Sequence, residues 1–194
     1  MFRIFRDGSS FACQQVLIES KFIYLPELKA KSTSKDRVGK KYTEEEIVIT
    51  SGEYQFEDVS AEEKVGDIVT DILAFYKGHD LLIEIAVTHF IDEEKQLKIQ
   101  EINKACVEID LSGISEFTIE SVSKMVLKSA PRRWVWSPKY KRVKEKISKS
   151  VEAIAEAANH IHMNQCEIHA YQTQKVLERY AGDYLKIIGR GCKR

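Results

Sequence analysis

LLIEIAVTHF (residues 81–90) reads as a buried β-strand interrupted by one carboxylate, Glu84, and DIVTDILAFY (residues 67–76) just before it does the same with Asp71. Short runs rich in Ile, Leu and Val are strand signals. Burying an ionised carboxylate is costly unless a cation or hydrogen bonds compensate it. YKGHD separates the two runs, with Gly78 as the turn residue. In an antiparallel hairpin, paired residues have a constant index sum. A two-residue loop at Lys77 and Gly78 gives a sum of 155 and sets Asp71 opposite Glu84. A loop at Gly78 and His79 gives 157, pairs Asp71 with Ala86 and leaves Glu84 diagonal on the same face. Either register brings the carboxylates within about 5–8 Å. A three-residue loop would put them on opposite faces.

Two carboxylates that close raise each other's pKa unless a cation lies between them. Hard oxygen ligands on rigid strands suit Mg²⁺ or Mn²⁺. A metal so held can activate a water and stabilise charge on a phosphate. The alternative is a pair of strand acids satisfied by Lys or Arg, or exposed at a sheet edge.

Outward from the hairpin, residues 10–20 suit a helix, with Ser9 or Ser10 as its cap. FIYLPEL is a short extended piece ended by Pro26, and the polar stretch KAKSTSKDRVGKKYTEEE reads as a mobile loop. A strand is expected over residues 47–59, broken near Ser51 and Gly52, ahead of the two acid-bearing strands. IDEEKQLKIQEIN then has Ile91, Leu97, Ile99 and Ile102 at near-helical spacing behind Asp92 as N-cap, and ACVEIDLS is a further strand. The order helix, three strands, helix, strand makes a mixed α/β sheet layered with helices. Beyond Pro131 the chain is highly charged and helical. Ile147, Ile154, Ile161 and Ile168 recur every seven residues, with Val151 and Ala158 beside them. That stripe packs on the core or on a second copy of itself. The expected organisation is a core over residues 1–130 and a basic, helical extension over 131–194.

The 194 residues suffice for one domain with an appendage, and no apolar run approaches a membrane span. Cys13, Cys106, Cys166 and Cys192 form no CxxC pair, which favours reduced thiols and a cytoplasmic setting. The zero net charge conceals an asymmetry. Residues 124–149 hold ten Lys or Arg against one acid, Glu145, so they carry +9 and the rest of the chain −9. Within that segment, Arg132, Arg133, Lys139, Lys141 and Arg142 suit phosphate contacts, and Trp134, Trp136 and Tyr140 suit stacking on unpaired bases. The tryptophans would equally pack the tail helix against the sheet.

The αβββαβ order, the acid in VTDI and the acid in IEI resemble the PD-(D/E)XK nuclease superfamily. VGDIVTDILAF, LLIEIAVTHFIDEEK, VEIDLS and RRWVWSP are similar to its competence protein CoiA-like branch, most closely over residues 57–112. The resemblance implies a restriction-endonuclease-like core and Mg²⁺-dependent hydrolysis of nucleic-acid phosphodiesters. It implies Asp71 and Glu84 as metal ligands, with Glu63 as an additional acid and Glu62 as its substitute. Ala86 stands where the motif has Lys. A lysine on the following helix, Lys95 in DEEK with Lys98 as backup, matches the branch's pattern for orienting the attacking water. Alone, Lys95 would read as a solvated helix lysine. His89 closes the strand beside the acids, where it could position water or contact phosphate, and Thr88 would orient its neighbours. Glu108 and Asp110 alternate out of their strand toward solvent or salt bridges.

His162, Cys166 and His169 fall on one helical face, but without a fourth ligand they read as surface residues. No P-loop, dinucleotide fingerprint, GxSxG or HExxH is present. The expected protein is a Mg²⁺-dependent nuclease acting on DNA, with a homodimer through the isoleucine helix as a way to place two sites on two strands. The alternatives are a nuclease-fold protein without chemistry that binds DNA or partners another nucleic-acid enzyme, and a structural, helix-mediated interaction protein.

Overall fold

A computed structural model describes the backbone over residues 5–114 and 118–191, and side chains over 11–114 and 118–180. Helix α1 (Phe5–Ser20) leads into β1 (Phe22–Leu25), β2 (Leu28–Lys35), β3 (Lys41–Ile49) and β4 (Gly52–Gln55). Three strands follow without a helix between them: β5 (Asp58–Val65), β6 (Ile68–Tyr76) and β7 (His79–Ala86). Helix α2 (Glu93–Ile102) crosses to β8 (Ala105–Asp110). Then come α3 (Ile119–Lys124), which runs into a π-helical turn (Met125–Ser129), β9 (Arg132–Trp136) and α4 (Pro138–Gly191).

The central sheet has the order β5-β6-β7-β8-β9. β7 and β8 are parallel, joined by α2, and the other neighbours are antiparallel, so the expected mixed α/β sheet forms. Two apolar clusters cover its faces. Cys13 and Leu17 of α1 and Val122 and Val126 of the α3 region pack on Ile72, Ala74, Leu81, Ile83, Val107 and Ile109. On the other face Ile99 of α2 packs on Ile68, Leu82, Cys106 and Val135. Residues alternate between these faces because successive side chains of a strand point to opposite sides. Among the described residues, no helix is long and apolar enough to cross a membrane. Cys13, Cys106 and Cys166 are free thiols, and Cys192 lies outside the described residues.

Contacts divide the chain into two units, Met1–Lys31 with Glu45–Lys146, and Ser32–Glu44 with Ile147–Arg194. The first holds the five-stranded sheet. β9, which the sequence assigned to the extension, pairs with β8 inside it. In the second, the stretch expected to be a mobile loop forms the turn and strand ends of a two-stranded sheet, β2 with β3. Polar caps that hydropathy does not register bridge its turn and strands. The Asp36 carboxylate accepts from the Val38 and Lys40 amides and the Tyr42 hydroxyl, and the Thr33 and Thr43 hydroxyls bond each other. Two further strand expectations change. The piece over residues 47–59 is split among β3, β4 and the start of β5, and β5 continues to Val65 through polar DVSAEEKV. An edge strand needs few apolar residues, since its outer side faces water.

Helix α1 begins at Phe5 rather than near Ser10; the side chains of Ser9 and Ser10 lie outside the described residues. α4 is one continuous helix, as expected. Its buried row, however, is Ile147, Val151 and Ala155, spaced by four, while Ile154, Ile161 and Ile168 are about half exposed. The seven-residue row and the four-residue row diverge after Ile147, and only the second is covered. Asp92 caps α2 as expected, its carboxylate accepting from the Lys95 amide at 2.7 Å. Asp92→Ala should cost about 1 kcal/mol, read from urea unfolding of the variant.

Candidate metal and catalytic site

The Lys77–Gly78 turn sets the site's register. Both residues have positive φ, 47° and 81°, as a two-residue type I′ loop requires. The β6–β7 ladder then runs from Tyr76↔His79 to Ile72↔Ile83, which is the sum-155 register. It stops one step short of Asp71 and Glu84. There β6 changes face: Ile68 packs on the α2 side and Ile72 and Ala74 on the α1 side. Residues four apart in a regular strand would share a face. At the crossing the Thr70 hydroxyl donates to the Ile72 carbonyl (3.0 Å), and Asp71 Oδ2 accepts from the Ile85 amide (2.7 Å). A carboxylate thus satisfies a backbone donor at the place where the strands part. Among the described residues no hydrogen-bond donor is placed on Asp71 Oδ1.

Glu84 is 4% exposed. Its Oε2 accepts from Lys95 Nζ at 2.6 Å, and its Oε1 is buried with no partner. The Thr70 hydroxyl is close enough to favour the charged form, but its proton goes to Ile72. Burial pushes the Glu84 pKa above the ordinary carboxylate range and the Asp71 charge adds to this, against the opposing effect of Lys95. The acid pair therefore has one occupied oxygen and one free oxygen on each member, beside one lysine. Lys95 reaches Glu84 because α2 starts immediately after the β7 strand and its loop, which sets the first turn over the end of the sheet.

The other expected residues take different places. Lys98 pairs with Glu94 on the outside of α2 (2.5 Å). Ala86, two residues after Glu84, is buried. His89 is exposed, its Nδ1 2.8 Å from the Thr88 hydroxyl. Glu63 is exposed on β5 in register with Thr70, and Glu62 beside it has a φ of 53°.

Glu108 is the residue that sequence reasoning under-read. Of its two expected states, the salt bridge holds and the exposure does not: it is 1% exposed. In the parallel β7–β8 ladder it is the register partner of Glu84. Its Oε1 accepts from the Ile91 amide and its Oε2 from Arg133 Nε, both at 2.6 Å. It thereby anchors the segment that carries His89 and Asp92. The available signal was the same as for Glu84, one acid inside an apolar run. Asp110 instead accepts from the Ser112 amide and hydroxyl, which hold its pKa below the usual range.

The basic segment is not one surface. Arg132 donates to the carbonyls of Ala130, Tyr24, Leu127 and Met125, and burial lowers its pKa to about 10. Arg133 is held by Glu108, and Trp136 packs on the α2-side cluster. Trp134 donates to the Pro26 carbonyl and, with Lys139 and Arg142, lines a cleft. Lys141 is exposed. His162 Nε2 lies 3.7 Å from Asp36, while Cys166 and His169 are exposed. Among the described residues no three His, Cys, Asp or Glu side chains form a metal cage. No family model, curated protein or solved structure matches the chain.

Proposed function

We propose that the protein is a metal-dependent nuclease that hydrolyses DNA phosphodiesters at Asp71 and Glu84. The observation that carries this reading is Glu84: a buried carboxylate with one oxygen on Lys95 and the other without a partner. A structural ion pair would satisfy both oxygens, because an unpaired buried acceptor costs about 1–3 kcal/mol. Glu84 Oε1 and Asp71 Oδ1 are hard oxygen donors that suit Mg²⁺ or Mn²⁺. When bound, such an ion supplies Lewis-acid stabilisation of the phosphate and lowers the pKa of water.

The chain's own residues do the rest. Asp71 is oriented by the Ile85 amide, so its free oxygen is fixed in direction. Lys95 orients water and holds positive charge where the phosphate becomes more negative. It does from α2 what the lysine missing at position 86 would do from the strand. Leaving aside β1 to β4, which lie between α1 and β5 outside the five-stranded sheet, the succession β5, β6, β7, α2, β8 with α1 on one face supports the restriction-endonuclease-like core implied by the resemblance. The half-exposed Ile154, Ile161 and Ile168 support a homodimer through α4.

The test is cleavage of supercoiled plasmid and of single-stranded DNA with Mg²⁺, Mn²⁺ or EDTA. The expected result is metal-dependent cutting that is lost in Glu84→Ala and falls by about 10²-fold or more in Lys95→Ala. Loss in Glu84→Ala alone would keep the metal site and remove Lys95 from it. No cutting of either DNA, with DNA still bound, would replace the enzyme by a non-catalytic binder, the reading that Ala86 favours.

A further inference from the structure

The sheet unit contains a concavity away from the carboxylates. It measures about 820 Å³, within the size range of small-ligand sites. Phe56, Tyr76, Leu81 and Trp134 belong to its lining and to the α1-side apolar cluster, so it opens on the sheet face opposite Glu84. Leu81 precedes Glu84 by three residues, roughly 10 Å along the strand. A ligand here would not sit on the acid pair.

Its chemistry is divided. The interior is aromatic and aliphatic, with Tyr54, Phe56, Tyr76 and Trp134 beside Leu25, Val48 and Leu81. Tyr76 packs edge-on to Tyr54 at 5.3 Å, and the Trp134 ring is fixed by its bond to Pro26. The rim is cationic, since Lys139 and Arg142 both line it. The acid at the rim, Asp80, is already paired with Lys104. Among the described residues no carboxylate pairs with Lys139 or Arg142. Both stand in the first two turns of α4, whose first turn contains no acid. Cations at the positive end of a helix dipole are unfavourable for folding alone, and an anion there relieves both terms.

An apolar lining with aromatic rings under an unneutralised cationic rim fits a planar ring carrying a phosphate. We propose that this cleft binds a nucleoside phosphate, with the base against Tyr76 and Trp134 and the phosphate on Lys139 and Arg142. The site is independent of the nuclease reading. The same chemistry is offered by a free nucleotide and by the 5′-phosphorylated end of a DNA strand.

Calorimetric titration of the full chain in EDTA tests this, because the acid pair then takes no part. The probes are deoxyadenosine monophosphate, deoxyadenosine, inorganic phosphate, and a single-stranded oligonucleotide with or without its 5′-phosphate. The mononucleotide should bind at one site per chain, about tenfold or more tighter than either of its halves. The exposed-residue variant Lys139→Ala/Arg142→Ala should lose about tenfold or more of that affinity, and Glu84→Gln should lose none. Competition by the 5′-phosphorylated oligonucleotide alone supports the strand end as the source, and its failure to compete supports the free nucleotide. Absence of saturable mononucleotide binding, equal binding of deoxyadenosine, or unchanged binding in the double variant would overturn the proposal.

Discussion

Glu84→Gln should give a protein that is more stable than the wild type at pH 8 and, on the nuclease reading proposed above, cuts DNA about 10³-fold more slowly or worse. Both effects come from one atom pair. In the fold, burial and the neighbouring Asp71 raise the Glu84 pKa above its unfolded value. Between those two values the folded chain holds a proton that the unfolded chain has released. Wild-type stability therefore falls as pH rises through that window, and stays at the lower level above the folded pKa. Gln cannot ionise, so the variant does not follow this fall. The amide also fills the place of a carboxylate whose Oε1 has no partner. Lys95 loses its ion pair but is about one-third exposed, so water can solvate its ammonium. The gain should be largest at pH 8 and shrink toward acid pH as Glu84 takes up its proton. Thermal melts of both proteins at pH 5 and pH 8 measure it, at about 2–4 °C per kcal/mol. Added Mg²⁺ should raise the wild-type melting temperature and leave the variant's unchanged. Equal pH dependence in the two proteins would show that Glu84 carries no such strain.

Arg133→Ala should destabilise the sheet by about 3 kcal/mol, the lower end of the range for leaving a buried charge uncompensated. The asymmetry of the pair decides the sign. Glu108 is 1% exposed and Arg133 about half exposed. Removing the arginine strands a carboxylate in the core, whereas removing the charge of Glu108 leaves an arginine that water can solvate. Glu108→Gln in the Arg133→Ala background should therefore restore most of the loss, and Glu108→Gln alone should cost no more than about 1 kcal/mol. If the proposed nuclease reading holds, cleavage should fall with Arg133→Ala as well, because Glu108 holds the Ile91 amide one residue before the cap of α2. The sequence reading of Arg133 as a phosphate contact predicts a different pattern, with DNA affinity lowered and unfolding in urea unchanged. Urea titration and a DNA-binding isotherm on the same variant separate the two.

The acid pair was legible because it depends on one local decision. With a two-residue turn at Lys77 and Gly78, the index sum follows, and the register 155 is the one observed. What could not be read was the end of the ladder at Ile72 and the change of face near Thr70, since these depend on how the strands diverge in space. Lys95 came only through resemblance; nothing in the spacing of DEEK says that its ammonium turns back onto the sheet. Glu108 was under-read because its alignment with Glu84 crosses a parallel connection, and no turn residue announces such a register. The polar strands β2, β3 and β5 escaped because hydropathy measures burial, and these strands are held by hydroxyls, caps and ladder bonds. On α4, two apolar rows share Ile147, and the periodicity alone does not say which one the fold covers.

The single parallel pairing has a consequence for the order in which the molecule assembles. β6 and β7 meet across two residues, while β7 and β8 meet only after 24 intervening steps, from Leu81 to Ala105. Short closures cost less chain entropy and form sooner, on the microsecond scale typical of hairpins. The crossover through α2 is the slower event. Asp71 and Glu84 are thus brought together in the early phase, and the lysine and the second buried glutamate arrive with the later one. Burial is the largest cause of the raised Glu84 pKa, so the site acquires its electrostatic cost only when the crossover and α2 close over the hairpin and bring Lys95 with them.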